Sequence, residues 1–130
     1  MSTCMVISAL VVIVMESNTK KQRRESFVFE YMGNEHAPKN VTHVKFHSSV
    51  AEVQDAAFRD CKQLVKVVFN EGLTKIGWRA FQSCSSLESI AFPSTLTDVE
   101  ELAFYQCNSL TEVVLNEGLQ TIGRRAFCFC

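Results

Sequence analysis

One feature constrains this chain more than any other: a period of 23 residues. Ala-Phe recurs at Ala57-Phe58, Ala80-Phe81, Ala103-Phe104 and Ala126-Phe127. A cysteine follows each Phe by three places, at Cys61, Cys84, Cys107 and Cys130. Further columns keep the same register: Leu64, Leu87, Leu110; Val44, Val67, Ile90, Val113; Phe46, Phe69, Phe92, Leu115; Val50, Leu73, Leu96, Leu119; and Val53, Ile76, Val99, Ile122. Self-similarity at this period is the signature of a solenoid, in which each unit buries its apolar face only against its neighbours.

The unit beginning at Leu64 shows the local reading. Leu64–Phe69 is short and rich in β-branched residues, which favours a strand, and Val67 and Phe69 share one face of it. Asn70-Glu71-Gly72, repeated at Asn116-Glu117-Gly118, reads as a turn, and Pro93-Ser94-Thr95 takes the same place in the third unit. Ile76, Ala80 and Cys84 then fall at i, i+4 and i+8. That spacing predicts an apolar stripe on about two turns of helix, too short to persist unless neighbouring units hold it. Stacked units bring the four Phe of the Ala-Phe column into a ladder. Each buried Phe contributes about 1.5–3 kcal/mol by transfer. Parallel strands joined by crossover segments are nearly always wound right-handed.

The run Leu-x-x-Val-x-Phe, followed by Leu-x-x-Ile-x-x-x-Ala-Phe-x-x-Cys, resembles the leucine-rich repeats of the BspA-like family. The resemblance covers residues 41–130, in units 41–63, 64–86, 87–109 and 110–130; Val41 replaces the first Leu, and the last unit stops at Cys130. It implies an α/β fold: a right-handed leucine-rich repeat solenoid with parallel strands on the concave face and short helices on the convex face. It implies work through protein–protein contacts, with no catalytic residues common to the family. A repeat array normally closes with a more polar unit. None is visible here, so the sequence is expected to be a fragment.

The first 40 residues lie outside the repeat. Residues 1–26 hold an apolar run, 5–15, and a basic cluster, Lys20, Lys21, Arg23 and Arg24. A secretory signal would place positive charge before the run, and here the charge follows it. A cap segment, a disordered segment or a mis-annotated start is the preferred reading of residues 1–26, and the basic cluster reads as a solvated linker. These flanks favour the cytoplasm over a secreted or surface location. Phe27–Tyr31 alternates as a strand and Gly33–Asn40 reads as a turn; together, residues 27–40 are expected to cover the open edge of the first repeat.

Composition narrows the function classes. Thirteen Lys and Arg nearly balance fourteen Asp and Glu, so no basic excess points to nucleic acid. No apolar run approaches the roughly 18 residues of a spanning helix, which argues against a membrane partner. Four of the six cysteines sit at one repeat position on an apolar face and read as small buried hydrophobes. No C-x2-C pair is present, and His43 and His47, four apart on a strand, stand about 13 Å from each other, too far to share one zinc. No phosphate loop or nucleophile elbow occurs, so no catalytic residue, cofactor or metal is assigned.

What remains is recognition. Inward columns must pack, so the outward strand columns are free to bind. These are His43, Lys66, Ser89 and Glu112, beside Lys45, Val68, Ala91 and Val114. The aliphatic members form a stripe rimmed by polar groups, and Trp78 is a further candidate because its counterparts Asp55, Glu101 and Arg124 are solvent-facing types. The leading expectation is a non-catalytic module that holds a protein partner of unknown identity on the concave strand face. The alternatives are a regulatory or targeting fragment of a larger enzyme or receptor, and a surface adhesin. Self-association through an uncapped end at Ile122 and Phe127 is a further expectation.

Overall fold

The computed structural model describes the backbone of residues 9–12 and all of residues 26–130. Ten strands build two sheets. The first sheet contains β1 (Ala9–Val12), β2 (Ser26–Tyr31), β3 (His43–Phe46), β5 (Lys66–Val68), β7 (Ser89–Ala91) and β9 (Glu112–Val114), in the order β1-β2-β3-β5-β7-β9. The second is made of two-residue strands: β4 (Glu52–Val53), β6 (Lys75–Ile76), β8 (Asp98–Val99) and β10 (Thr121–Ile122). Every pairing is parallel except β1 with β2. Each layer therefore runs strand, turn, short strand, turn segment, and returns one layer further on. The result is a parallel-strand β-solenoid.

The register carries the sequence period into space. His43 lies beside Lys66, Lys66 beside Ser89 and Ser89 beside Glu112. Stacking at this register superposes identical side chains. The rings of Phe58, Phe81, Phe104 and Phe127 lie nearly parallel, with centroids 4.8, 5.1 and 5.1 Å apart and interplanar angles of 3°, 1° and 2°. A second, tilted file of rings, Phe46, Phe69 and Phe92, stands on the first-sheet side. Leu64, Leu73, Ile76, Leu87, Leu96 and Val99 complete the core between them.

The helices expected on the convex face are absent from the described residues, and Ile76, expected to open one, lies in β6. The segments after the second-sheet strands are chains of turns. Ala56 and Asp60, Arg79 and Ser83, Leu102 and Gln106, Arg125 and Phe129 all take positive φ, between 56° and 63°. A left-handed residue every fourth position cannot belong to a right-handed helix. The hydrogen bonds explain why the turns prevail. Ala56, Phe58 and Asp60 donate their N–H groups across to the carbonyls of Trp78, Ala80 and Gln82 in the next layer, at 2.9, 2.7 and 2.8 Å. Arg59 and Cys61 close local turns onto Ala56 and Phe58. A helix would use those amides within its own segment and leave this side of each layer joined to the next by side chains alone.

At the amino-terminal end, β2 pairs in parallel with β3 and places Tyr31 beside Phe46. The Tyr31 ring covers both aromatic files, 4.9 Å from Phe46 and 5.0 Å from Phe58, and its buried hydroxyl accepts the N–H of Gln54 at 3.1 Å. Residues 33–41 act as an additional layer on the turn side: Ala37 donates to the Ala57 carbonyl at 2.9 Å, and Ala37 and Val41 are buried. β1 falls within the apolar run 5–15 and adds an antiparallel strand beyond β2. The basic cluster Lys20–Arg24 and the remainder of that apolar run lie outside the described residues.

Candidate functional site

Alternation along the first sheet decides which side chains can meet a partner. In β3, β5 and β7 the central or second residues Val44, Val67 and Ile90 turn into the core, so their neighbours must turn outward. Eight of the nine residues singled out from the sequence meet on this outer face. Lys45, Lys66, Ser89, Ala91 and Glu112 are exposed there, and Val68 and Val114 keep 48% and 50% of their surface open. His43 is half-buried at the rim, with Nδ1 2.9 Å from the Thr42 hydroxyl. Burial, and then the charge of Lys66, hold its imidazole below the ordinary pKa, which favours the neutral form.

The face is a shallow groove of about 480 Å3. Val68, Ala91 and Val114 run along its floor, and Lys66 and Glu112 stand on opposite sides of Ser89 across the strands. Among the described residues no ion pair engages Lys45, Lys66 or Glu112; the pairs present are Arg59 with Asp60 and Lys75 with Glu100. The groove thus offers an aliphatic floor with Lys66 at one end and Glu112 at the other, and Glu71, which accepts from the Ser94 hydroxyl at 2.7 Å, also lines it.

Trp78 does not join this face. It follows β6, on the far side of the core, 39% exposed, with the Arg79 guanidinium 4.4 Å above its ring and its own N–H donating to Asp55 Oδ1 at 3.0 Å. A second groove, of about 280 Å3, lies at the last layer and is lined by Leu110, Val113, Leu115, Ile122, Phe127 and Cys130. Leu115 and Ile122 are 54% and 48% exposed there.

Two asparagines outside the columns singled out from the sequence tie the turns after β5 and β9 to the preceding layer. Asn70 is buried, and its Nδ2 donates to the Val50 carbonyl at 2.9 Å; Asn116 repeats the bond to Leu96 at 2.9 Å. Both stand at the head of a turn, and their recurrence one site in two layers (with Pro93 between) was the available signal.

The comparisons with known proteins agree with this architecture. The profile of the BspA type leucine rich repeat region matches residues 33–130, in six copies. The chain belongs to the BspA-type leucine-rich repeat family. A leucine-rich repeat protein from Bacteroides ovatus is similar in structure, with a TM-score of 0.72 and 25% identity over 79% of this chain and 28% of that one. The leucine-rich repeat protein of T. pallidum is similar with a TM-score of 0.69 and 32% identity, over 75% of this chain and 46% of its own. The chain therefore spans less than half the length of either solved protein. No curated protein matches it.

Proposed function

We propose that this solenoid is a non-catalytic recognition module and that its docking surface is the open face of the first sheet, which the sequence reading took to be the concave one. The observation that carries this reading is the aliphatic stripe Val68–Ala91–Val114, exposed along three adjacent strands whose opposite parity, Val67, Ile90 and Val113, turns to the core. A stripe of this kind, rimmed by charge, suits the dry centre and wet edge of a protein interface. A protein partner also fits a leucine-rich repeat module of this family.

A photoreactive residue placed at position 91 tests the assignment. It should cross-link a partner protein, whereas the same group at exposed Asn108, in the loop ahead of β9, should not. Equal labelling from both positions would refute the face assignment. Because the chain spans only part of its solved relatives, the same module is also consistent with a recognition segment inside a longer regulatory protein or adhesin.

A further inference from the structure

The open face has polarity as well as apolarity, and this polarity describes its occupant. Cations stand on β3 and β5, at Lys45 and Lys66, with carboxylates on both sides of them: Glu30 on β2, in register with Lys45, and Glu112 on β9. Lys45, Lys66 and Glu112 make no ion pair among the described residues. Between them lie Val68 and Ala91, with Ser89 contributing only a short polar side chain.

We propose that the occupant is an extended protein segment of the form acidic-x-aliphatic-x-basic, lying across the strands with its acidic residue at Lys45 and Lys66 and its basic residue at Glu112. The proposal rests on the docking face described above and adds the chemistry of what docks there. Its geometry follows from two spacings. Strands stack about 4.8 Å apart, so β3 and β9, three spacings apart, place Lys45 and Glu112 about 14 Å apart along the stack; their two-residue offset along the strands makes this about 16 Å, a difference the long Lys45 side chain can close. An extended chain advances about 3.3 Å per residue, so positions i and i+4 stand about 13 Å apart and point the same way. Position i+2 points with them and falls over the floor formed by Val68 and Ala91. One segment thus meets the cation, the aliphatic floor and the carboxylate with three side chains of one parity. Contact is made by side chains, so the segment is read by its charge order on the face rather than by its backbone direction.

The test uses the full chain and three synthetic peptides, observed through the methyl resonances of Val68 and Val114. The dipolar probe is acetyl-Asp-Ser-Val-Ser-Arg-amide; the controls carry Asp at both ends or Arg at both ends. The dipolar peptide should shift both valines and bind at least about threefold tighter than either control, the scale of one exposed charge pair. The double variant Lys45→Glu/Lys66→Glu should reverse this order and prefer the peptide with Arg at both ends. Equal affinities for the three peptides, or an unchanged order in the double variant, would overturn the proposal. So would self-association of the chain through the same valines, which would make a second copy the occupant. Silence of both valines toward all peptides, while a photoreactive residue at 91 still labels a partner, would overturn the peptide chemistry and leave the docking face standing. If position 91 also labelled nothing, the face itself would be at fault.

Discussion

Cysteine recurs once per layer because its hydrogen has somewhere to go. The Sγ atoms of Cys84, Cys107 and Cys130 donate to the carbonyls of Phe58, Phe81 and Phe104, at 3.1, 3.1 and 3.2 Å. Burial pushes the Cys61 thiol from its ordinary 9.0 up to about 11, against a smaller lowering by Lys39, and burial also raises Cys84. A raised folded pKa means the folded state holds the proton longer than the unfolded chain. The stability the Cys61 thiol contributes is complete below about pH 9 and is lost as pH rises towards 11. Denaturant midpoints should therefore fall over that window, and Cys61→Ala should flatten the fall. An unchanged midpoint between pH 8 and 11 would contradict it. The buried role of this column was legible, because four identical positions on an apolar stripe leave a thiol little else to do. The Asn70 bonds were not legible, since turn-forming asparagine and carbonyl-bonding asparagine look alike in sequence. Asn70→Ala strips three carbonyl partners, Ser48, Val50 and Glu71, of a donor and should cost about 1–3 kcal/mol in urea unfolding.

At the scale of elements, the turn segments explain why a helical pattern can mislead. Ile76, Ala80 and Cys84 recur every fourth residue because the segment is built of four-residue turn units, and a helix places buried residues at nearly the same interval. Hydrogen-bond destination separates the two, and that is decided by the neighbouring layer, which no single window of sequence contains. The β-branched column Val53, Ile76, Val99, Ile122 was the one local hint of a second sheet. The left-handed sites make the difference measurable. Asp60, at φ 62°, should lose about 1–2 kcal/mol on change to Val and nearly nothing on change to Gly. In a helix the order would invert, because Gly there is the poorer choice. Circular dichroism should likewise lack the paired minima of helix. Close packing between layers sets a further limit at Gly77, where an added Cβ would lie 2.5 Å from the Val53 carbonyl oxygen and 2.7 Å from Asp55 Oδ1.

At the scale of the whole molecule, stability follows from each layer touching only its neighbours. Phe81 stacks on Phe58 and Phe104 and is fully buried, whereas Phe127 stacks on Phe104 alone and is half-buried. Phe81→Ala should cost about 3–5 kcal/mol, and Phe127→Ala distinctly less. Equal losses in thermal unfolding would contradict the nearest-neighbour account. The repeat made the array and its outward columns legible in advance, since stacking identical units fixes which parity can reach solvent. It also set Trp78 apart from the strand columns, in the segment after Ile76, but read that segment as helix, because the hydrogen bonds that make it a run of turns go to the next layer. The central claim is that the open face of the first sheet is where this module meets its partner. The most direct measurement is partner capture by the full chain and by Val68→Asp/Val114→Asp, with circular dichroism as the folding control. The account predicts that capture is lost while the spectrum is preserved; undiminished capture by the folded double variant would contradict it.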